Sequence, residues 1–478
     1  MSLSRRVSYN LILVVTFFLV ACGSQPSPTA TRIAATPEVT PTSTRTKVIP
    51  TPTVTPIPTS SLEVDKSDLN GLAITFWHPW TGETGNAIQR SLERFNAENE
   101  YGITVESSSQ GNLNSLYERL DNMETKEGLP NLAVGANYQI LTWDADGKDV
   151  VDLNAYLNDP EWGLSTEDLS DFNSIFLEQD VIDQQRIGFP AVRSTQLIFY
   201  NKSWAEELGF SSPPSTPEEF KEQACRAAQD NNSNEISEDD GTGGWLVNTS
   251  PAATLSWFYA FESPIVLPDG SGYNFNTPQA EDALSFLKEL IDEGCAWEVV
   301  ETQGEVEFAD RRALFITASL LDLEYQREQL ERLANSDDWM VTGFPSPEGE
   351  PVIDVYGPSF AIFAGSEAEN LAAWLVIKWL ASAEQQAGFI TTNGSFPTRT
   401  SVMELLDPYA SENPQWASAQ DLLKNARPEP NLQSWDVVRW VVSDVGTQIF
   451  RYYYTPDTIP ATLELMDETA AELHEKTQ

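Results

Sequence analysis

Histidine is nearly missing from this chain: 478 residues contain only His78 and His474. That excludes a multi-histidine metal site, and any catalytic triad would have to run through one of the two. Cysteine is almost as rare. Cys22, Cys225 and Cys295 are too few for a disulfide scaffold or a four-cysteine zinc site. Positive charge is short as well, with 28 Lys and Arg against 72 Asp and Glu and a formal net charge of −44. A surface of that sign repels phosphate backbones and anionic headgroups, which argues against nucleic acid as a partner. The apolar run Leu11–Val20 is half the length of about 20 residues that a permanent membrane span requires. What is present is core material: 41% hydrophobic and 10% aromatic residues, in a length that suits two or three domains of roughly 150 residues.

The amino-terminal residues read as an address. Arg5 and Arg6 precede the apolar run, which ends in Ala21 and Cys22, the order of a charged region, a short hydrophobic region and a small residue at a cleavage point. Residues 1–21 are therefore expected to be a signal peptide. Leu19-Val20-Ala21-Cys22 resembles the bacterial lipobox, a resemblance that implies lipidation of Cys22. Several acyl chains would hold the protein stably on a membrane where one chain would not. Residues 22–61 are dominated by Thr, Pro and Ser. Proline fixes φ and removes hydrogen-bond donors, so such a tract stays extended and serves as a tether.

From Leu62 the pattern changes to short apolar strands alternating with amphipathic helices. Leu72–Trp77, Ile103–Glu106, Leu129–Gly135 and Gln196–Tyr200 read as strands. Ile88, Leu92 and Phe95 share a helical face, and further helices are expected around 113–123, 217–229, 279–293, 368–381 and 436–453. Ser215-Thr216-Pro217 and Thr277-Pro278 supply a cap and a first-turn proline. This βαβαβ alternation predicts an α/β fold with parallel, doubly wound sheets, whose ligands sit beyond the carboxyl ends of the strands. His78–Glu83 then falls at a binding edge. Asp144–Asp149 looks superficially like the start of a calcium loop. It lacks the glutamate at the required offset, which favours a turn held by Asx bonds.

A series of short segments carries a resemblance: Phe76-Trp77-His78, Gly188-Phe189-Pro190, Phe199-Tyr200-Asn201-Lys202, Ser215 to Phe220, Phe275 to Pro278, Phe308 to Ala313, Gly343 to Pro347, Gly394 to Arg399 and Trp435 to Arg439. In that order they make residues 72–470 similar to an extracellular solute-binding protein of the carbohydrate-type ABC-importer family, maltose- and glycerol-3-phosphate-binding-like. The acidic insertion Glu235–Gly244 departs from that pattern, as do the two cysteines of the second lobe.

The resemblance implies two α/β lobes of the type II periplasmic-binding-protein kind, joined by a hinge, with solute in the cleft and no cofactor or metal. It places crossings near Phe189–Val192, Ala313–Ile316 and Ile362–Ala364. Lobe one would be 62–190 plus 315–363, and lobe two 191–314 plus 364–478. Ligand-binding candidates are Trp77, His78, Trp80 and Glu83 in the first loop, with packing as the alternative for the tryptophans and a solvated carboxylate near a helix start as the alternative for Glu83. In lobe two they are Trp245, Trp257 and Tyr259, one of them a stacking platform for a sugar face. Tyr356 and Gly357 are placed at the last hinge, and Asn393, Ser395 and Arg399 at a closing loop, Arg399 with a structural ion pair as the alternative.

His78 has no nucleophile beside it and is expected to hydrogen-bond rather than to act as a base. Cys225 and Cys295 are expected to form a disulfide. The implied function is a receptor on the outer face of the cytoplasmic membrane. Its partners are a small-molecule solute, the lipid bilayer through Cys22 and the transmembrane subunits of a permease; it would act as a monomer, without catalysis. A glycerol-3-phosphate or phosphodiester receptor, and a surface glycoside hydrolase using two carboxylates, are the alternatives.

Overall fold

The computed structural model describes residues 60–299 and 304–477. The expected signal peptide, Cys22 and all but the end of the 22–61 tether lie outside the described residues. Chain order begins with strand β1 (Ala73–His78), helix α1 (Gly82–Glu98), β2 (Thr104–Ser109), α2 (Leu113–Asp121), β3 (Leu132–Gly135) and α3 (Asn137–Trp143). β1 pairs in parallel with both β2 and β3, as the alternation predicts. Strands Ser359–Ile362 and Phe189–Pro190 complete a five-stranded sheet in the order β2, β1, β3, 359–362, 189–190. In β1 the inward residues Ile74, Phe76 and His78 alternate with half-exposed or exposed neighbours, while all four residues of β3 are buried. An alternating strand has one covered face, and a wholly apolar one has two.

The second sheet runs, in space, through Trp339–Thr342, Gln196–Asn201, Ala313–Ser319, Gly243–Leu246 and Ala296–Trp297. Helix Pro217–Ser233 packs on it. That helix starts from a capping box in which Thr216 accepts from the Glu219 amide, with Pro217 in the first turn. Helix Pro278–Asp292 starts at Thr277, whose side chain accepts from the Ala280 amide, with Pro278 in the first turn. Cys225, on the first of these helices, is joined by a disulfide to Cys295, just beyond the second, with Cα atoms 4.2 Å apart. The expected pairing is therefore present.

Two expected boundaries are corrected. Ala313–Ser319 is not a crossing into lobe one; it is the central strand of the second sheet, antiparallel to Gln196–Asn201 and parallel to Gly243–Leu246. Residues 364–392 do not belong to lobe two as a block. Helix Glu367–Leu380 buries Leu371, Trp374 and Ile377 in the core of the first sheet. The first sheet is thus covered by helix Glu367–Leu380 as well as by α1, and the second by helix Pro217–Ser233. A buried strand reads as the same apolar run whether it ends a sheet, centres it or leaves it.

The crossing segments lie side by side. Ser194 and Tyr356 exchange both backbone hydrogen bonds, the Phe396 amide donates to the Arg193 carbonyl at 2.9 Å, and the amides of Ala191 and Val192 donate to the Pro358 carbonyl. The crossing near Phe189–Val192 is where the resemblance puts it, but the second lies at 355–358, not at Ile362–Ala364. A third passes through 393–396. Gly357 has φ 145°, and a Cβ there would lie 2.3 Å from the Val192 carbonyl oxygen, so no other residue fits between the two crossing chains.

Arg193 is wholly buried at this junction. Its guanidinium donates to Asp180 Oδ2 (3.0 Å), Ser359 Oγ (2.9 Å) and the carbonyls of Val192, Gly357, Pro358 and Phe176. Ser359 Oγ also donates to Asp180. Burial pulls the guanidinium below its ordinary pKa, and the Asp180 charge opposes that shift. Removing one partner from such a pair leaves a buried, uncompensated charge. Asp180→Ala should accordingly cost about 3–5 kcal/mol in urea unfolding, and a loss below about 1 kcal/mol would show that the pair is not what holds the crossings.

Candidate functional site

The carboxyl ends of the parallel strands locate the site. β1 ends at His78, and Gly243–Leu246 and Ala313–Ser319 end in the segments around Asn248–Ser250 and Leu320. Beyond the latter two strands, a cavity of about 460 Å³ is lined by Gln196, Asn248, Thr249, Ser250, Glu305, Thr317, Ser319 and Asp322 together with apolar Leu246, Val247, Val299 and Ile316. It adjoins the hinge: Tyr356 Oη donates to Ser319 Oγ (3.3 Å) and accepts from Gln196 Nε2 (2.9 Å), and Ser194 Oγ lies 3.0 Å from Ser319 Oγ. Among the described residues the lining contains no Lys, Arg or His and no aromatic ring. Burial raises the carboxyls of Glu305 and Asp322, and the Asp322 charge adds to the shift of Glu305.

Behind this cavity, Asp354 is fully buried one residue before Val355. Its Oδ1 accepts from the Gln196 amide (3.0 Å) and the Thr195 hydroxyl (3.3 Å), while Oδ2 has no partner. Burial pushes the carboxyl up to about 8. Nearby, burial raises Glu429 to about 7, against the opposing charge of Arg439.

The lobes also touch across the cleft. Tyr117 Oη on α2 donates to Asp436 (3.3 Å), Arg439 donates to Tyr138 Oη on α3 (2.6 Å), and the Asn137 amide bonds Asn431. Asp436 and Arg439 belong to helix Trp435–Ile449, which buries Val438, Val442 and Ile449 and leaves Trp440 54% exposed.

The residues expected at the site divide. Tyr356 and Gly357 are at the hinge against the cavity. His78 is buried, its ring stacked on Trp80 with centroids 5.6 Å apart, and its Nδ1 has no partner. Burial lowers His78 to about 4, so the ring is neutral at physiological pH. Trp80 also packs edge-on against Phe389 and Phe360. Trp77 points to the other side of β1, where the Arg119 guanidinium lies 4.2 Å from its ring. Glu83 is exposed in the first turn of α1 and accepts from Asn86.

Trp245 and Trp257 correct the expectation of a stacking role: both are core residues packed against each other and Phe220, with no face left for a solute. Tyr259 lies instead at a second cavity of about 490 Å³ beside Glu429, its hydroxyl bonded to the Pro428 carbonyl. Asn393 lines a smaller cavity of about 160 Å³, and Ser395 is buried, its carbonyl accepting from Trp416. Arg399 is a structural group, lying over the Phe172 ring with bonds to Asp168, Asp171 and the Ala381 carbonyl. Where a turn was expected at Asp144–Asp149, residues Asp144–Lys148 continue α3 as a single π-helical turn, and the Val150 amide donates to Asp144 Oδ1.

Sequence reasoning missed Gln196, Thr317, Ser319 and Asp322. The one legible signal was polar residues ending an apolar run, Thr317-Ala318-Ser319.

A family model for bacterial extracellular solute-binding proteins matches residues 91–423, more than two thirds of the chain. The chain belongs to that family. Three solved structures illustrate the likeness of this solute-binding protein. The sugar-binding protein MalE from Xanthomonas citri aligns with TM-score 0.71 at 20% identity, covering 84% of this chain and 98% of its own. The cyclic alpha-maltosyl-1,6-maltose binding protein from Arthrobacter globiformis gives 0.69 at 19%, covering 85% and 100%. UgpB from Mycobacterium tuberculosis, solved with glycerophosphocholine, gives 0.69 at 17%, covering 84% and 98%. At these identities the likeness is one of fold. No curated protein sequence matches the chain.

The buried acid at Asp354 sets a pH dependence. An acid raised to about 8 in the fold keeps its proton after the unfolded chain, with a value near 4, has lost it, so rising pH works against folding across that interval. Asp354→Asn removes this effect. Its stability relative to the parent, read from urea midpoints at pH 5 and 7, should increase with pH by up to about 1.4 kcal/mol per unit; a pH-independent difference would contradict the assignment.

Proposed function

We propose that this solute-binding protein is the receptor of an ABC importer and captures a carbohydrate in the cavity between hinge and second sheet. The observation that carries the reading is the lining itself: amide, hydroxyl and carboxylate groups at the carboxyl ends of parallel strands, with no basic side chain among them. Hydroxyl-rich solutes are bound by such groups, whereas a phosphate ester calls for cationic side chains, which the described lining lacks. That chemistry disfavours the glycerol-3-phosphate alternative. Sugar-binding structures among the fold relatives support the same reading.

Solute bridging the lobes stabilises the closed arrangement, because a ligand shifts an equilibrium only by its differential affinity for the two states. The permease subunits then read the closed form. In this scheme Cys22 carries the lipid, residues 22–61 act as tether, and the receptor works as a monomer on the outer face of the cytoplasmic membrane without catalysis.

A thermal-shift screen over mono- and oligosaccharides, polyols and glycerol phosphates tests the proposal. A carbohydrate at 100 times its Kd adds about 2.7 kcal/mol of stability and should raise the midpoint, and Gln196→Ala should abolish that response while remaining folded. A response to phosphate esters alone, or release of a chromophore from chromogenic glycosides, would overturn it.

A further inference from the structure

Helix α3 is divided between the two halves of the molecule. Ile140 and Trp143 belong to the core of the first sheet, whereas Tyr138, 4% exposed, joins the core of the second, which includes Trp435 and Val438 of helix Trp435–Ile449. A relay of polar groups continues this contact. Tyr117 Oη on α2 donates to Asp436 Oδ2 (3.3 Å), Asp436 Oδ1 lies 3.8 Å from the Arg439 guanidinium, and Arg439 donates to Tyr138 Oη (2.6 Å). The guanidinium carbon is 4.8 Å from the centre of the Tyr138 ring and 5.1 Å from that of Trp440, within the range of a cation–π contact. Asn137 of α3 donates to Asn431 as well.

The charges are distributed so that these groups can part. What α2 and α3 contribute is uncharged: the phenols of Tyr117 and Tyr138 and the amide of Asn137. Both charges sit on one helix three residues apart, with side chains 24% (Asp436) and 21% (Arg439) exposed. When the tyrosines withdraw, Asp436 and Arg439 keep each other and water reaches both, so no charge is left buried and alone. Arg193 and Asp180 differ, each side chain being 1% exposed, and their separation would strand two charges out of water. One pair holds permanently, and the other can make and break. From this arrangement we propose that Tyr117 and Tyr138, with Asp436 and Arg439, form a latch that closes the two halves on each other and sets solute affinity from outside the cavity. None of the four is among the residues lining it. Apparent affinity scales with the fraction of receptor in the binding-competent state, so a latch favouring the closed state tightens every solute by one common factor. The inference goes beyond the carbohydrate reading and is independent of which solute is bound.

A distance measurement without solute tests it. Spin labels are placed on the full chain at Glu118→Cys on α2 and Asp444→Cys on helix Trp435–Ile449, both exposed positions. Cys22→Ser leaves only the introduced thiols to react, since Cys225 and Cys295 are bonded to each other. Pulsed electron paramagnetic resonance should give a short-distance population for the parent. Arg439→Gln and Tyr138→Phe should each shift the ratio of short to long distances about fivefold or more toward long. The two together should shift it no further than Arg439→Gln alone, because they remove the same bond. Tyr138→Phe keeps the ring and its packing, and Tyr117→Phe, which cuts the other arm, should act in the same direction. Arg119→Gln, on α2 but stacked on Trp77 of β1, should leave the distances unaltered. Unchanged distances in Arg439→Gln and Tyr138→Phe, or an equal shift in Arg119→Gln, overturn the latch and leave the carbohydrate reading untouched. A distance shift as expected, with no carbohydrate raising the thermal midpoint, removes that reading and keeps the latch.

Discussion

The buried pair Arg193–Asp180 is the constraint on which the rest of the molecule depends. A two-lobed receptor must let its lobes move while keeping the crossing strands in register, and a guanidinium with five fixed donors is suited to that task. Here the guanidinium gathers carbonyls from both main crossings, and Asp180 with Ser359 closes the shell. An ion pair out of water is weak as a source of net stability, because desolvation offsets attraction. Its value is specificity. Bonds aimed at the Val192, Gly357 and Pro358 carbonyls fix which backbone atoms lie beside one another, and Gly357 makes the close approach sterically possible.

That junction positions the cavity. Tyr356, next to Gly357, reaches Ser319 and Gln196 on the second sheet, so the hinge is wired to the lining by two hydrogen bonds. Asp354, two residues before Tyr356, receives the Gln196 amide from beneath. The same short stretch therefore shapes the crossing, holds a buried acid and orients the side chain whose carbonyl oxygen is unsatisfied. The hinge and the lining of the cavity thus share hydrogen-bonded atoms directly. On the outer rim, Tyr117–Asp436 and Tyr138–Arg439 add contacts between lobes that a change in opening would break or remake.

Much of the fold was legible because strands and helices declare themselves by period and by caps. β1, Gln196–Asn201 and the helices starting after Thr216 and Thr277 lie where alternation and the Thr-Pro signals place them. The disulfide was readable from two cysteines left over in one lobe. The crossings were not, because Ala313–Ser319 is buried in six of its seven residues and looks the same as a strand that leaves its sheet. The site was legible only in its hinge part. Trp245 and Trp257 drew attention as aromatic residues, yet they pack on Phe220 in the core. The groups that line the cavity are ordinary amides, hydroxyls and acids, common everywhere in an acidic chain, and only the pairing of Gly243–Leu246 with Ala313–Ser319 brings them together.

The central claim is that solute in this cavity draws the lobes together about the Arg193 junction. Small-angle X-ray scattering of the folded body, with and without the carbohydrate that raises its thermal midpoint, tests it most directly. The account predicts a smaller radius of gyration on addition of that carbohydrate, and no change for Gln196→Ala under the same conditions. Tight binding with an unchanged radius in the parent protein would contradict it.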